Sequence, residues 1–288
     1  MKAIYKRELC SYFRSMLGYV FVAVTMAFIG LYFMVYNLTS GYPYFSYTLN
    51  HVFIVFMFLT PLLTMKSMAE ERKTRTDQLL LTSPASVTSV VMGKFLSVLT
   101  VFAIPLLISC FCPLIISAFG TGYMAGDYVM IFAVLCLGAL LVSIGLFISS
   151  LTDNQVIAAV VTFLVFMVLY MWDGITNYLP TDAVGSFVGF LILWLIVSLV
   201  FYLVSKNRNI SIGIAAVGIV ALVVVYAVKS TLYEGLLTKV LSVFSIVTPL
   251  SNFASYTVFD FAGIFYYLSC TALFLFLTVQ SIQKRRWN

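Results

Sequence analysis

The chain has 288 residues, of which 62% are hydrophobic and 9% charged, and it carries a formal net charge of +6. A mean hydropathy of +1.08 leaves too little polar surface to cover a soluble globule of this size, so the composition excludes a soluble enzyme and predicts an all-α polytopic membrane protein with no separate soluble domain. The basic excess is accounted for by anionic lipid, so nucleic acid need not be invoked as a partner.

In chain order, residues 1–16 read MKAIYKRELCSYFRSM. Tyr5, Leu9, Tyr12, Phe13 and Met16 recur at helical spacing, and Lys2, Lys6, Arg7 and Arg14 give a basic face, which predicts an interfacial amphipathic helix. The plainer reading is a positively charged anchor with no further role. The segment runs into a full-length span without a cleavage-site pattern, so it is read as retained and not as a secretory signal.

Apolar runs long enough to cross a hydrocarbon core of roughly 30 Å follow. They are expected at about 17–37, 51–69, 88–118, 128–150, 155–176, 185–205, 210–228 and 261–282, separated by polar or turn-forming stretches such as NLTSGYPYFSYTLN and SLTDNQ. Eight spans with both termini inside put fourteen of the sixteen Lys and Arg residues on the cytoplasmic side and leave only Lys229 and Lys239 outside, as the positive-inside rule requires. Residues 184–230 then form an extra transmembrane hairpin. Residues 234–248, with Leu236, Leu237, Val240, Leu241 and Phe244 on one face and Pro249 ending the run, predict an outer-interface helix.

No GxxxxGK[ST] loop occurs, so the chain is not expected to be an enzyme or to bind ATP through a P-loop. No cofactor or metal is expected on it: Cys10, Cys110, Cys112, Cys136 and Cys270 lack CxxC spacing, and His51 stands beside Asn50 as an interfacial polar residue. Glu70, Glu71, Asp77 and Asp153 fall at the inner surface, and Asp127, Asp173, Asp182, Glu234 and Asp260 at or near the outer one. An ion-coupled secondary transporter is thereby disfavoured, because its ionisable groups belong near the midplane. The GSFVG stretch at 185–189 and the sequon at Asn37 carry no weight.

The one long polar run is AEERKTRTDQLLLTSPAS, residues 69–86. Glu71 with Arg75 and Lys73 with Asp77 are spaced i,i+4, which predicts a short charged helix ending in the apolar patch Leu79, Leu80 and Leu81. Pro84 stops it, and Ser83, Ser86 and Thr88 are placed to cap the next span. A helix of this kind offers a grip to a protein partner; the bland reading is a solvated connector.

The stretch EERKTRTDQLLLTSP resembles the loop between the second and third spans of ABC type-2, exporter-type permeases, in particular the gliding-motility-type branch. SSLTDNQVIAA at 149–159 is similar to that branch's turn between the fourth and fifth spans, and DFAGIFYYLSCTALFLFLTVQSIQKRRW at 260–287 to its last span and tail. The resemblance implies a transmembrane dimer, homo- or heteromeric, in which each permease pairs with a cytoplasmic ABC ATPase that carries the ATP and Mg. It implies that residues 69–86 are the coupling helix, with Glu70, Glu71, Arg72, Thr76, Asp77, Leu79, Leu80, Leu81, Thr82, Ser83 and Pro84 docking on the ATPase, and that Asp153 and Asn154 make a smaller second contact. Where the family commonly carries a glycine this chain has Arg75, so the helical run is expected to continue further or bend differently. Many relatives have six spans, which marks the 184–230 hairpin as an addition.

The expected function is that of the membrane subunit of an ABC exporter in the bacterial cytoplasmic membrane, moving an amphipathic or hydrophobic substrate. The alternative is a non-transporting component that transmits ATPase force to an extracytoplasmic accessory partner, as in motility or signalling complexes.

Overall fold

The structure is a computed structural model that describes residues 1–76, 86–120, 122–205, 208–228, 233–256 and 259–287. Every regular element among them is helical. In order they are α1 (Lys2–Arg14), α2 (Met16–Tyr32, continued by a π-helical turn over Phe33–Thr39), α3 (Phe45–Lys73), α4 (Val87–Ser109), α5 (Phe111–Phe119), α6 (Met124–Leu151), α7 (Gln155–Asn177), α8 (Ala183–Ser205), α9 (Arg208–Val228), α10 (Leu236–Ser242), α11 (Val247–Tyr256) and α12 (Phe261–Trp287).

Among the described residues, six stretches are long and apolar enough to cross a membrane: Met16–Thr39, Phe45–Lys73, Val87–Phe119, Met124–Leu151, Gln155–Asn177 and Phe261–Lys284. α8 and α9 fall where the hairpin 184–230 is expected, but among the described residues their apolar stretches, Ala183–Leu199 and Ala215–Val224, are shorter. Where one outer helix is expected over 234–248, the chain instead ends α10 at Ser242 and begins α11 at Val247. Pro249 does not terminate a helix; it sits in the first turn of α11, where its missing N–H costs nothing.

The chain divides into two compact units, residues 1–169 with 246–288, and residues 170–245, where a single permease domain over 1–288 is expected. In the smaller unit, α8 packs against α9 and α10. Gly189 lets α10 approach, since a methyl there would meet Leu237 Cδ2 at 2.3 Å, and Trp172 Nε1 donates to the Leu241 carbonyl at 2.7 Å.

The larger unit is built around α6, whose apolar window is 83% buried against 17% for α7. α6 is apolar all round, as a helix at the centre of a bundle must be, and its small residues let neighbours close in. A methyl at Gly138 would lie 2.1 Å from the Phe102 ring of α4, and one at Gly145 would lie 2.3 Å from Thr64 Oγ1 of α3. α3, α12 and α4 pack on it through these contacts and through Phe53, Phe56, Leu106, Leu141 and Tyr267.

The span expected to begin at 51 begins at Phe45, because α6 supplies its N-terminal cap. Asp127 is 1% exposed, and its Oδ1 accepts from the Ser46 amide at 2.8 Å, satisfying one of the donors that a helix start leaves free. Beside it Asn37 is also buried. Its amide nitrogen donates to the Tyr42 and Tyr44 carbonyls at 2.7 and 3.1 Å, and its oxygen accepts from Thr48 Oγ1 at 2.6 Å, so the sequon asparagine is a fastener for the turn after α2. His51 lies against Tyr47 and Tyr36, with ring centroids 4.4 and 4.9 Å away, in a group of aromatic side chains suited to a membrane interface.

Candidate functional site

The opposite end of the larger unit gathers the charges. At 1.5 Å per residue the 29 residues of α3 extend about 44 Å, some nine residues more than a bilayer core needs. The polar stretch Lys66–Lys73 is therefore carried clear of the hydrocarbon as the last two turns of the span itself, so residues 69–73 of the expected coupling helix are the end of α3. α1 lies across it. Tyr12 of α1 is buried, and its hydroxyl donates to the Leu63 carbonyl of α3 at 3.0 Å. Burial pushes the Tyr12 phenol far above its ordinary range, which keeps it a donor. Tyr5 pairs with Thr100 of α4 at 3.0 Å, and Gly93 of α4 allows the backbones to close, with Ile4 Cγ2 only 3.1 Å from where a methyl would stand. Met16, expected on the same apolar face, is 81% exposed, because the chain turns at extended Ser15 and Met16 opens α2.

α3 stops at Lys73. The Thr76 amide bonds the Glu71 carbonyl at 2.9 Å and the Arg75 amide bonds Arg72 at 3.1 Å, while Arg75 has φ 56°. This is the Schellman termination, with an arginine in the left-handed position that favours glycine. The conformation costs a non-glycine residue roughly 1–2 kcal/mol. It is held by Thr74, whose Oγ1 donates to the Glu70 carbonyl at 2.9 Å and pairs with Thr76 Oγ1 at 3.0 Å. α3 thus ends before Arg75, and the break falls where a glycine would make one.

Because Arg75 leaves the helix face, the expected i,i+4 pair with Glu71 does not form. Glu71 instead accepts from Arg7 Nη2 of α1 at 2.9 Å through Oε1, and from Lys94 Nζ of α4 at 2.9 Å through Oε2. Lys94 is 1% exposed. Its ammonium also lies 3.4 Å from Glu8 Oε1 and donates to the Ser67 carbonyl at 2.6 Å, so the buried charge is held between two carboxylates and a carbonyl. Arg7 bonds Glu8 at 2.7 Å as well, a contact that holds its guanidinium above its ordinary pKa. Two cations and two carboxylates on three helices thereby close one network. From sequence Lys94 is only an inside charge, and its partners Glu8 and Glu71 are not legible, although a lysine seven residues into an apolar span is itself a signal.

A second set of contacts ties the end of α3 to the end of α6. Ser149 Oγ accepts from the Met68 and Ala69 amides at 3.2 and 3.1 Å. Arg72 forms an ion pair with Asp153, and its Nη1 donates to the Ser150 carbonyl at 3.1 Å. Asn154 caps α7, accepting from the Val156 amide at 2.9 Å. Of the expected site residues, Glu70, Glu71, Arg72, Thr76, Asp153 and Asn154 are described, and Arg72 and Asp153 come together although 81 residues separate them in sequence. Asp77, Leu79, Leu80, Leu81, Thr82, Ser83 and Pro84 lie outside the described residues.

Residues 32–172 match the ABC-2 family transporter protein model. The ABC-2 match runs from the end of the first span into the fifth and includes both the α3–α4 connection and the Asp153 turn. The match covers just under half of the chain and, with the six long apolar helices among the described residues, supports a membrane-embedded transporter permease. No curated protein and no solved structure matches the chain.

Proposed function

We propose that this chain is the transmembrane subunit of an ABC exporter of the bacterial cytoplasmic membrane, and that residues 70–84 with Asp153 and Asn154 dock on a separate ATPase that holds ATP and Mg. The observation that carries the reading is the Arg72–Asp153 pair: it unites the two connections expected to meet one partner into one surface at the polar end of the bundle. Hydrolysis by the partner moves that surface, and α3, continuous from the site through its whole span, carries the displacement inward. A second permease subunit completes the pathway, and the apolar composition of the spans suits an amphipathic or hydrophobic substrate. The gliding-motility-type branch rests on the quoted motifs alone.

Docking is tested with Asp77→Lys and Leu80→Asp, which invert a charge and place a carboxylate in an apolar contact. Each is expected to abolish co-purification of the ATPase in detergent, since lost complementarity at a desolvated contact costs about 2 to 5 kcal/mol. Full retention of the partner by both variants makes the segment a connector only.

The topology in this reading has eight spans with both termini cytoplasmic, α8 and α9 supplying the added pair. Single cysteines at Thr74 and Asn207 in a Cys-free background are expected to resist an impermeant thiol reagent in whole cells and to react in inverted vesicles. Labelling of either from outside overturns the orientation.

A further inference from the structure

Between α1 and the last turns of α3 lies an open cleft of about 370 Å³. The ion network accounts for its Lys94 and Glu71 walls, but not for the rest of its lining. Lys66 and Glu70, one turn apart on the α3 wall, approach each other to 3.8 Å, with side chains 22% and 42% exposed, too far apart for a good charge-assisted hydrogen bond. Arg7 spends Nη2 on Glu8 and Glu71 and is otherwise 55% exposed, which leaves guanidinium donors to spare. Ser67 is 2% exposed, and its hydroxyl is spent on the Tyr12 phenol and closed off from solvent. The cleft therefore holds spare donors at Lys66 and Arg7 beside a loosely paired acceptor at Glu70.

The charges in the lining balance, with Arg7, Lys66 and Lys94 against Glu8, Glu70 and Glu71. A simple anion or cation would meet as much repulsion as attraction; a ligand carrying both charges, a few bonds apart, fits. We propose that this cleft binds a zwitterion with a phosphate and a primary ammonium, the chemistry of an aminophospholipid headgroup. The phosphate takes the Lys66 and Arg7 donors, and the ammonium donates to Glu70. The position favours a lipid source: α1 has the amphipathic pattern of a helix in the interface, and the cleft sits where α3 leaves its apolar stretch. The proposal rests on the membrane reading of the spans and not on ATPase docking.

The test uses the full chain in detergent, incubated with equal amounts of phosphatidylethanolamine and phosphatidylcholine of matched acyl chains, with bound lipid counted by native mass spectrometry. The quaternary ammonium of phosphatidylcholine has no N–H to give Glu70, so a preference of about tenfold for phosphatidylethanolamine is expected, a difference of about 1.4 kcal/mol. Lys66→Gln/Glu70→Gln is expected to erase the preference while the thermal unfolding midpoint stays in place. Equal retention of the two lipids by the parent, or an unchanged preference in the double variant, overturns the site. A third arm adds soluble glycerophosphoethanolamine. Failure to displace the lipid at millimolar concentration supports the headgroup, and binding as tight as the lipid's overturns the lipid source in favour of a soluble zwitterion. Loss of ATPase binding in the docking variants with lipid preference intact separates this proposal from the one above.

Discussion

Glu71→Gln is expected to destabilise the protein by about 3 kcal/mol, read as a fall of several degrees in the thermal unfolding midpoint in detergent. Lys94 is 1% exposed, and Glu71 at 2.9 Å is its closer carboxylate; Glu8 stands at 3.4 Å. Breaking a buried pair from one side costs about 3 to 5 kcal/mol, because the remaining charge stays desolvated. Glu8 and the Ser67 carbonyl hold the loss to the lower end of that range. Adding Lys94→Met is expected to recover part of it, since methionine keeps the buried stem and removes the stranded charge, leaving the Ser67 carbonyl unpaired at about 1 kcal/mol. A Glu71→Gln protein as stable as the parent, or a double variant less stable than the single one by the full sum, shows that the network does not hold α1 to α3 and α4.

The same geometry changes which residues can probe docking. From sequence, Glu71 is an exposed charge of a cytoplasmic helix, and its reversal to lysine is expected to leave the fold intact while weakening a partner's grip. In the structure that lysine would stand against Lys94 and Arg7. Loss of partner binding by Glu71→Lys would therefore not distinguish a damaged fold from a damaged docking surface. Asp77 and Leu80 remain the informative positions.

The spans were legible because burying apolar side chains in a bilayer needs nothing but length and hydropathy, and α2, α4, α6, α7 and α12 carry both in one unbroken run. What could not be read was pairing across long sequence separations. Asp127 looks like a loop acid at the end of a span until α3 is laid beside α6 and its carboxylate meets the Ser46 amide. Arg75 looks like a helix partner of Glu71 until the turn after Lys73 takes it off the face. Lys94 was one basic residue among many until Glu8 and Glu71 converged on it from two other helices. In each case local pattern gave the element, and the identity of the polar partner depended on which helices touch. At the site, likewise, the 69–86 run stood out by composition, whereas its connection to Asp153 came only from the contact between α3 and the end of α6.

That connection leads to the second large effect, which bears on coupling. Arg72 is 19% exposed and Asp153 69%, so the pair contributes little to stability, about 0 to 1 kcal/mol for an exposed ion pair. Its value in the proposed mechanism is mechanical: it makes the end of α3 and the α6–α7 turn move as one piece when the ATPase pushes on either. Arg72→Glu sets two carboxylates face to face and removes the donor to the Ser150 carbonyl, which drives the two connections apart. Substrate-stimulated ATP hydrolysis by the reconstituted complex is then expected to fall about tenfold, equivalent to 1.4 kcal/mol, while the thermal midpoint moves by no more than a couple of degrees. The exchange Arg72→Asp/Asp153→Arg restores the attraction with the charges reversed and is expected to recover most of the stimulation. A merely structural pair would move the midpoint and the hydrolysis rate together, and a pair with no part in coupling would leave stimulation intact in Arg72→Glu. Either result removes Arg72 and Asp153 from the mechanism and returns the α6–α7 turn to the role of a connector capped by Asn154.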